Sequence, residues 1–188
     1  MFINKICTEI LFCFLIFVSI SQALFIFKVL KTIRCMKNRE LELINTYINE
    51  PPPDTVPPNS LTIYQDVTHH MNLTLTLTTF TKKNKTWEYV RSLSGKTINF
   101  CTFVKHDFIM MPIVRKFISF PHDCPLKKTS QIISRNQLEP MIRPVMYIGC
   151  WKLKIEYTDS RKNIRGCYNI ICLQSTEAQL ETDLKLCY

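Results

Sequence analysis

The sequence predicts an all-β fold, an antiparallel sandwich stapled by disulfides. Short alternating segments recur between turn residues, and no βαβ spacing appears. Cys101, Cys124, Cys150, Cys167 and Cys172 all fall between Asn99 and Leu173, in a stretch rich in strand-like runs.

The elements follow in chain order. Phe25 to Ile33 alternates imperfectly and reads as a first strand leading into Cys35. Asn38 to Ile48 is ambiguous between a short helix and a second strand. Prolines 51–58 form a proline-rich loop, because proline donates nothing to a ladder. The clearest strand is Asn72 to Thr78, where strict alternation sets Leu73, Leu75 and Leu77 on one face and threonines on the other. Lys82 to Lys85 makes a hairpin turn into Thr86–Arg91, in which Trp87 and Tyr89 share a side. Cys101 to Phe120 has near-helical apolar spacing broken by Pro112, so a short helix or irregular lid is expected there. Gln131–Ile133 reads as a short strand, and Glu139 to Pro144 as an extended connection. Ile148–Tyr157 and Ile164–Leu173 form the final hairpin, and a turn centred on Arg161 sets Cys150 opposite Cys172. The tail from Ser175 to Tyr188 is expected as a frayed short helix.

The N-terminus opens with an apolar run, Ile10 to Ile20, followed by Ser21-Gln22-Ala23. This is the pattern of a secretory signal peptide, residues 1–23, with a single domain over 24–188; a signal anchor is the alternative. The net charge of +9 comes from scattered lysines and arginines, with no cationic block and no nucleic-acid motif, so nucleic acid is not an expected partner. Of nine cysteines, Cys7 and Cys13 lie in the leader. The rest suit disulfides in an oxidising compartment, not zinc, since no CxxC pair is present. Cys187 is left as the odd thiol, available to link two chains. Asn72-Leu73-Thr74 and Asn84-Lys85-Thr86 are glycosylation sequons, consistent with a secreted, extracellular chain.

Phe100-Cys101-Thr102-Phe103, Cys124-Pro125-Leu126, Gly149-Cys150-Trp151-Lys152-Leu153 and Gly166-Cys167-Tyr168-Asn169-Ile170 carry a family resemblance. With the first strand and the Leu73–Leu77 strand, the chain resembles the MD-2-related lipid-recognition group. The likeness is to ganglioside-activator-like proteins and the insect chemosensory Che-type proteins. The resemblance implies a secreted immunoglobulin-like β-sandwich whose sheets part to admit a hydrophobic tail. It also implies that Cys35 bonds Cys167 and that Cys101 bonds Cys124 around the lid. Two departures stand out. No glycine follows Cys124-Pro125 closely, and the proline-rich loop reads as an insertion.

On this reading Leu73, Leu75, Leu77, Trp87, Phe103, Phe108, Ile109, Trp151, Leu153 and Ile155 are the candidate cavity walls. Each taken alone is ordinary sandwich core. Lys105, Lys116, Lys127 and Lys128 sit where a polar head could meet them, although solvated surface also accounts for them. No GxSxG, HExxH, phosphate loop or dinucleotide fingerprint is present, so neither an enzyme nor a cofactor is expected. His122 neighbours Cys124, but a bridged cysteine is no nucleophile. The expected function is therefore a non-catalytic carrier of a small hydrophobic molecule or lipid. The alternative is an interaction module with a filled core that binds a membrane receptor or channel.

Overall fold

The computed structural model describes residues 25–36, 41–49, 51–52, 54–107, 110–133, 139–141 and 146–188. The expected leader, together with Phe108 and Ile109, lies outside the described residues.

The strands are β1 (Phe25–Arg34), β2 (Ile44–Tyr47), β3 (Ser60–Ile63), β4 (Thr74–Lys83), β5 (Thr86–Tyr89), β6 (Lys96–Asn99), β7 (Thr129–Ile132), β8 (Glu139–Met141), β9 (Gly149–Thr158) and β10 (Ile164–Thr176). Among the described residues three short α-helices accompany them: α1 (Phe100–His106), α2 (Met110–Phe117) and α3 (Leu180–Cys187). The strands make two antiparallel sheets. One has seven strands in the order β5-β4-β9-β10-β1-β8 with β6 also pairing β4, and the other has three in the order β2-β3-β7. The expected class, a disulfide-stapled antiparallel β-sandwich with a short helix or lid loop, is the observed one.

Local chemistry explains the turns. The β4–β5 hairpin closes through Asn84 and Lys85, both at positive φ (46° and 68°), the conformation a type I′ turn requires. In the β9–β10 turn the Asp159 carboxylate accepts from the backbone N–H groups of Arg161 and Asn163, both at 2.9 Å. Residues 51–52 and 54–59 connect β2 to β3 without regular structure, and Val56 turns inward. The two sequon asparagines, Asn72 and Asn84, are exposed.

The register of the last hairpin carries a correction. Ile164 pairs with Thr158, but Gly166 pairs with Tyr157, leaving Arg165 as a β-bulge. From there on each β10 residue faces a β9 partner one place further along than a plain hairpin would give. Cys150 therefore faces Leu173, and Cys172 faces Trp151. A one-residue slip moves a side chain to the other face. Cys172 consequently packs inward with Phe27, Trp151 and Leu153, whereas Cys150 points outward beside Leu30, Ile171 and Leu173. The expected Cys150–Cys172 bond is replaced by Cys150–Cys187, and Cys172 is a buried free thiol. Cys187 is thus engaged within its own chain and is not the thiol available for a disulfide-linked dimer.

The other bonds join Cys35 to Cys167 and Cys101 to Cys124. The Cys150–Cys187 bridge closes a separation of 37 residues, worth about 4 kcal/mol by loop entropy. It fastens α3 to the outer face of the large sheet, and the Ser175 hydroxyl donating to the Asp183 carboxylate at 2.6 Å adds a second tie. The tail is therefore docked, not frayed.

The two sheets join along one seam. The Thr32 side chain, on β1, donates to the carbonyl of Thr46 at 2.7 Å and accepts from the Ile48 N–H at 2.8 Å. The Leu43 N–H donates to the bulge carbonyl of Arg165 at 2.6 Å. Gly166 lies in the same seam. A Cβ there would stand 2.8 Å from the Ile44 carbonyl oxygen and 2.9 Å from the Tyr157 ring, closer than packed atoms approach.

Three outcomes are expected. Gly166→Ala destabilises by about 1–3 kcal/mol in urea unfolding, because both neighbours are rigid. Peptide mapping of the unreduced protein finds Cys150 joined to Cys187. In the same mapping Cys172 reacts with an alkylating agent only after denaturation, since burial raises its pKa and hides it.

Candidate functional site

Between the sheets lies a cavity of about 700 Å³. A share of liquid volume of about 30 Å³ holds one water, and packed interiors have few voids larger than that. This space is too large to be a packing defect.

The large sheet contributes Leu75 and Leu77 from β4, Leu153, Ile155 and Tyr157 from β9, and Tyr168 and Ile170 from β10. The small sheet contributes Ile44, Thr46 and Leu61. The helical segment closes one side with Phe100, Phe103, Met111, Val114, Ile118 and Phe120. The polar positions Lys28, Asn49 and Asn59 lie where the cavity passes the edge of β1, and there it reaches Leu184 and Tyr188 at the C-terminus. Asn49 and Tyr188 are exposed, so the open side is at this edge.

The lid is two helices rather than one. The Asn99 carboxamide oxygen caps α1 by accepting the Thr102 N–H at 3.1 Å. The Asp107 carboxylate accepts the Met111 N–H at 2.9 Å and so starts α2. Pro112 is the third residue of α2, within the first turn, where its missing N–H costs nothing. An Arg115 terminal nitrogen donates to the Val104 carbonyl at 2.7 Å and to that of Pro121 at 3.3 Å, holding the helices together. The Cys101–Cys124 bond closes the loop.

A polar clasp lies outside this bridge. Lys105 donates to the Asp123 carboxylate at 2.7 Å, and His69 Nε2 lies 3.6 Å from its other oxygen. His69 also approaches the sulfurs of Cys101 and Cys124. Those sulfurs are bonded to each other, so the group offers no thiolates to a metal.

Of the residues expected as cavity walls, Leu75, Leu77, Phe103, Leu153 and Ile155 line the cavity. Leu73 and Trp151 are buried on the inner side but fill core next to it. Trp87 is a correction. It pairs with Lys82 of β4, whose even-numbered side chains face away from the small sheet. It therefore packs on the outer surface, against the cluster of Leu30, Cys150, Ile171, Leu173 and Cys187 that Leu180 and Leu184 of α3 also join. The Lys152 ammonium lies 5.1 Å from its ring centroid and 4.2 Å from that of Phe80. Burial lowers the Lys152 pKa. Lys127 pairs with Asp66 at 2.9 Å, away from the cavity lining. The Lys116 side chain lies outside the described ones.

Sequence reasoning missed the aromatic and polar part of the wall. Tyr157 and Tyr168 are buried and line the cavity with their hydroxyls 2.8 Å apart. Tyr157 also meets Phe100 edge-on, centroids 5.2 Å apart. Inward alternation from Leu153 and Ile155 carries directly to Tyr157, which is the signal that could have found it.

No protein-family model matches the chain, and none of the curated proteins matches it either. A crystal structure of a Niemann-Pick type C2 protein from Japanese carpenter ant is similar over 78% of this chain and 90% of that one, at 10% identity and a TM-score of 0.23. At that score the likeness carries no argument. The fold rests on the strands and sheets described above, and among the described residues no helix is long and apolar enough to cross a membrane.

The clasp predicts an acid limb to stability. Its bond from Lys105 holds Asp123 below the usual carboxylate value of 3.8. A depressed pKa adds stability above the unfolded value, which is lost as pH falls through the folded one. Asp66 is lowered in the same way by the Lys128 N–H and by Lys127. Thermal stability is expected to fall below about pH 4. Asp123→Asn should blunt that fall, as circular dichroism melting across the pH range would measure.

Proposed function

We propose that this protein is a non-catalytic carrier that encloses a small hydrophobic ligand between its two sheets. The observation that carries the reading is the cavity itself. Its 700 Å³ falls within the range of about 300–1,000 Å³ typical of small-molecule sites, and its wall is mostly apolar. A module that bound only through its surface would gain nothing from leaving this space unfilled, since each buried methylene adds about 0.8 kcal/mol.

The mechanism is desolvation. A chain entering past the β1 edge exchanges water for Leu, Ile and Phe side chains, and no charge or bond changes. The resemblance to lipid-recognition proteins points the same way and suggests a lipid or a chemosensory cue. Secretion fits this function. We read residues 1–23 as a cleaved leader, the remainder as one domain, and Asn72 and Asn84 as glycan acceptors on exposed turns. The three disulfides suit an oxidising, extracellular setting.

Native mass spectrometry of the delipidated protein, re-exposed to a homologous series of alkyl chains, tests the reading. Affinity should rise about fourfold per added methylene until the cavity is full. Val114→Trp, which fills the space from the lid side, should abolish the bound mass while leaving the circular dichroism spectrum unchanged. Absence of any bound chain in the unmodified protein would sink the idea.

A further inference from the structure

The cavity wall contains one cluster of hydroxyl groups, contributed by β2, β9 and β10. The Tyr157 and Tyr168 hydroxyls are hydrogen-bonded to each other at 2.8 Å, and the Thr46 side chain lies beside the Tyr168 hydroxyl. All three residues line the cavity, and each is less than 7% exposed: Tyr157 4%, Tyr168 4% and Thr46 6%.

Counting protons decides what this group can do. Three neighbouring hydroxyls have three protons and can make at most two bonds in a row. Whichever way the bonds run, one O–H donor has no acceptor within the group, and the hydrogen bonds of the described residues give it none outside. A buried donor left unpaired is costly. Burial raises the pKa of both phenols, so the protons stay in place at any physiological pH.

The scaffold holds the row in position. Gly166 makes room for the Tyr157 ring, Phe100 braces its edge, and Tyr168 is fixed by the Cys35–Cys167 bridge at the adjoining residue. Lys28, the cation of the described lining, sits opposite Leu173, five residues along β10 from Tyr168 and seven from Gly166, the partner of Tyr157, roughly 17–24 Å away. Arg34, the ladder partner of Tyr168, is outside the lining and is already paired with Glu42 at 3.1 Å, so a carboxylate at the tyrosines would be buried without a counter-charge of its own, which is costly. A neutral oxygen meets no such penalty.

We propose that Thr46, Tyr168 and Tyr157 form a hydrogen-bonding subsite that receives one neutral acceptor oxygen of an otherwise apolar ligand. Ketones, esters, ethers and alcohols belong to the class it accepts; plain hydrocarbons and ionised acids do not satisfy it. The subsite rests on the carrier reading, because it presupposes a ligand in the cavity.

The test uses the full chain and matched probes: hexadecane, 2-hexadecanone and hexadecanoate, each displacing a fluorescent apolar dye. The unmodified protein should bind the ketone several-fold to about tenfold more tightly than the alkane. The combined variant Thr46→Val, Tyr157→Phe, Tyr168→Phe should bring that ratio to about one while retaining the alkane. Infrared spectroscopy of the ketone bound to the unmodified protein gives a second readout that needs no variant. Its carbonyl stretch should be lowered relative to the same ketone in alkane solvent. Equal affinities for ketone and alkane, an unshifted carbonyl, or tightest binding of the carboxylate would each overturn the subsite while leaving the carrier standing. Failure of every probe to bind would overturn both.

Discussion

A single unpaired residue, Arg165, sets the arrangement on which the rest depends. Its bulge shifts the β9–β10 register by one place, and because side chains alternate, the shift exchanges faces for everything paired beyond it. Tyr168, Ile170 and Cys172 are turned inward with Leu153, Ile155 and Tyr157. Cys150 is turned outward to meet Cys187. The same residue's carbonyl, freed from the ladder, accepts the Leu43 N–H and begins the seam with the small sheet. One extra residue thus decides the cavity wall, a disulfide and the join between sheets.

The cavity follows from how that join is made. Thr32, the Leu43 N–H on the Arg165 carbonyl and the Gly166 contact pin the sheets tightly along one line. Away from it, α1 and α2 stand between them instead of direct strand-on-strand packing. A three-stranded sheet facing a seven-stranded one cannot cover it, so the helices close part of the gap and enclosed apolar space remains. The lid is itself over-tied, by a disulfide, by Arg115 to two carbonyls and by the Lys105–Asp123–His69 clasp. Such bracing keeps an apolar space open where bare side chains would collapse into it.

The outer face shows the opposite solution. Trp87, Phe80 and Lys152 form a stacked surface that α3 partly covers, and the Cys150–Cys187 bond holds the helix against it. The C-terminus is in this way brought to the open edge of the cavity, where Leu184 and Tyr188 border it.

Much of this was legible in the sequence. The alternation of Leu73, Leu75 and Leu77 fixed a strand and its inner face, and the run from Trp151 to Tyr157 did the same for β9, because period-two burial is a local property of a pleated chain. Pro112 foretold a broken helical segment for an equally local reason. The partners of Cys150 and Cys187, the outward side of Trp87 and the tyrosine row were not legible. Each depends on register between segments far apart in the chain, and register here turns on a bulge that no periodicity announces. The sequence by itself determined which segments become strands and which faces they bury. Only the tertiary structure decided which buried face meets which, because a one-residue slip leaves local propensity unchanged and reverses every neighbour.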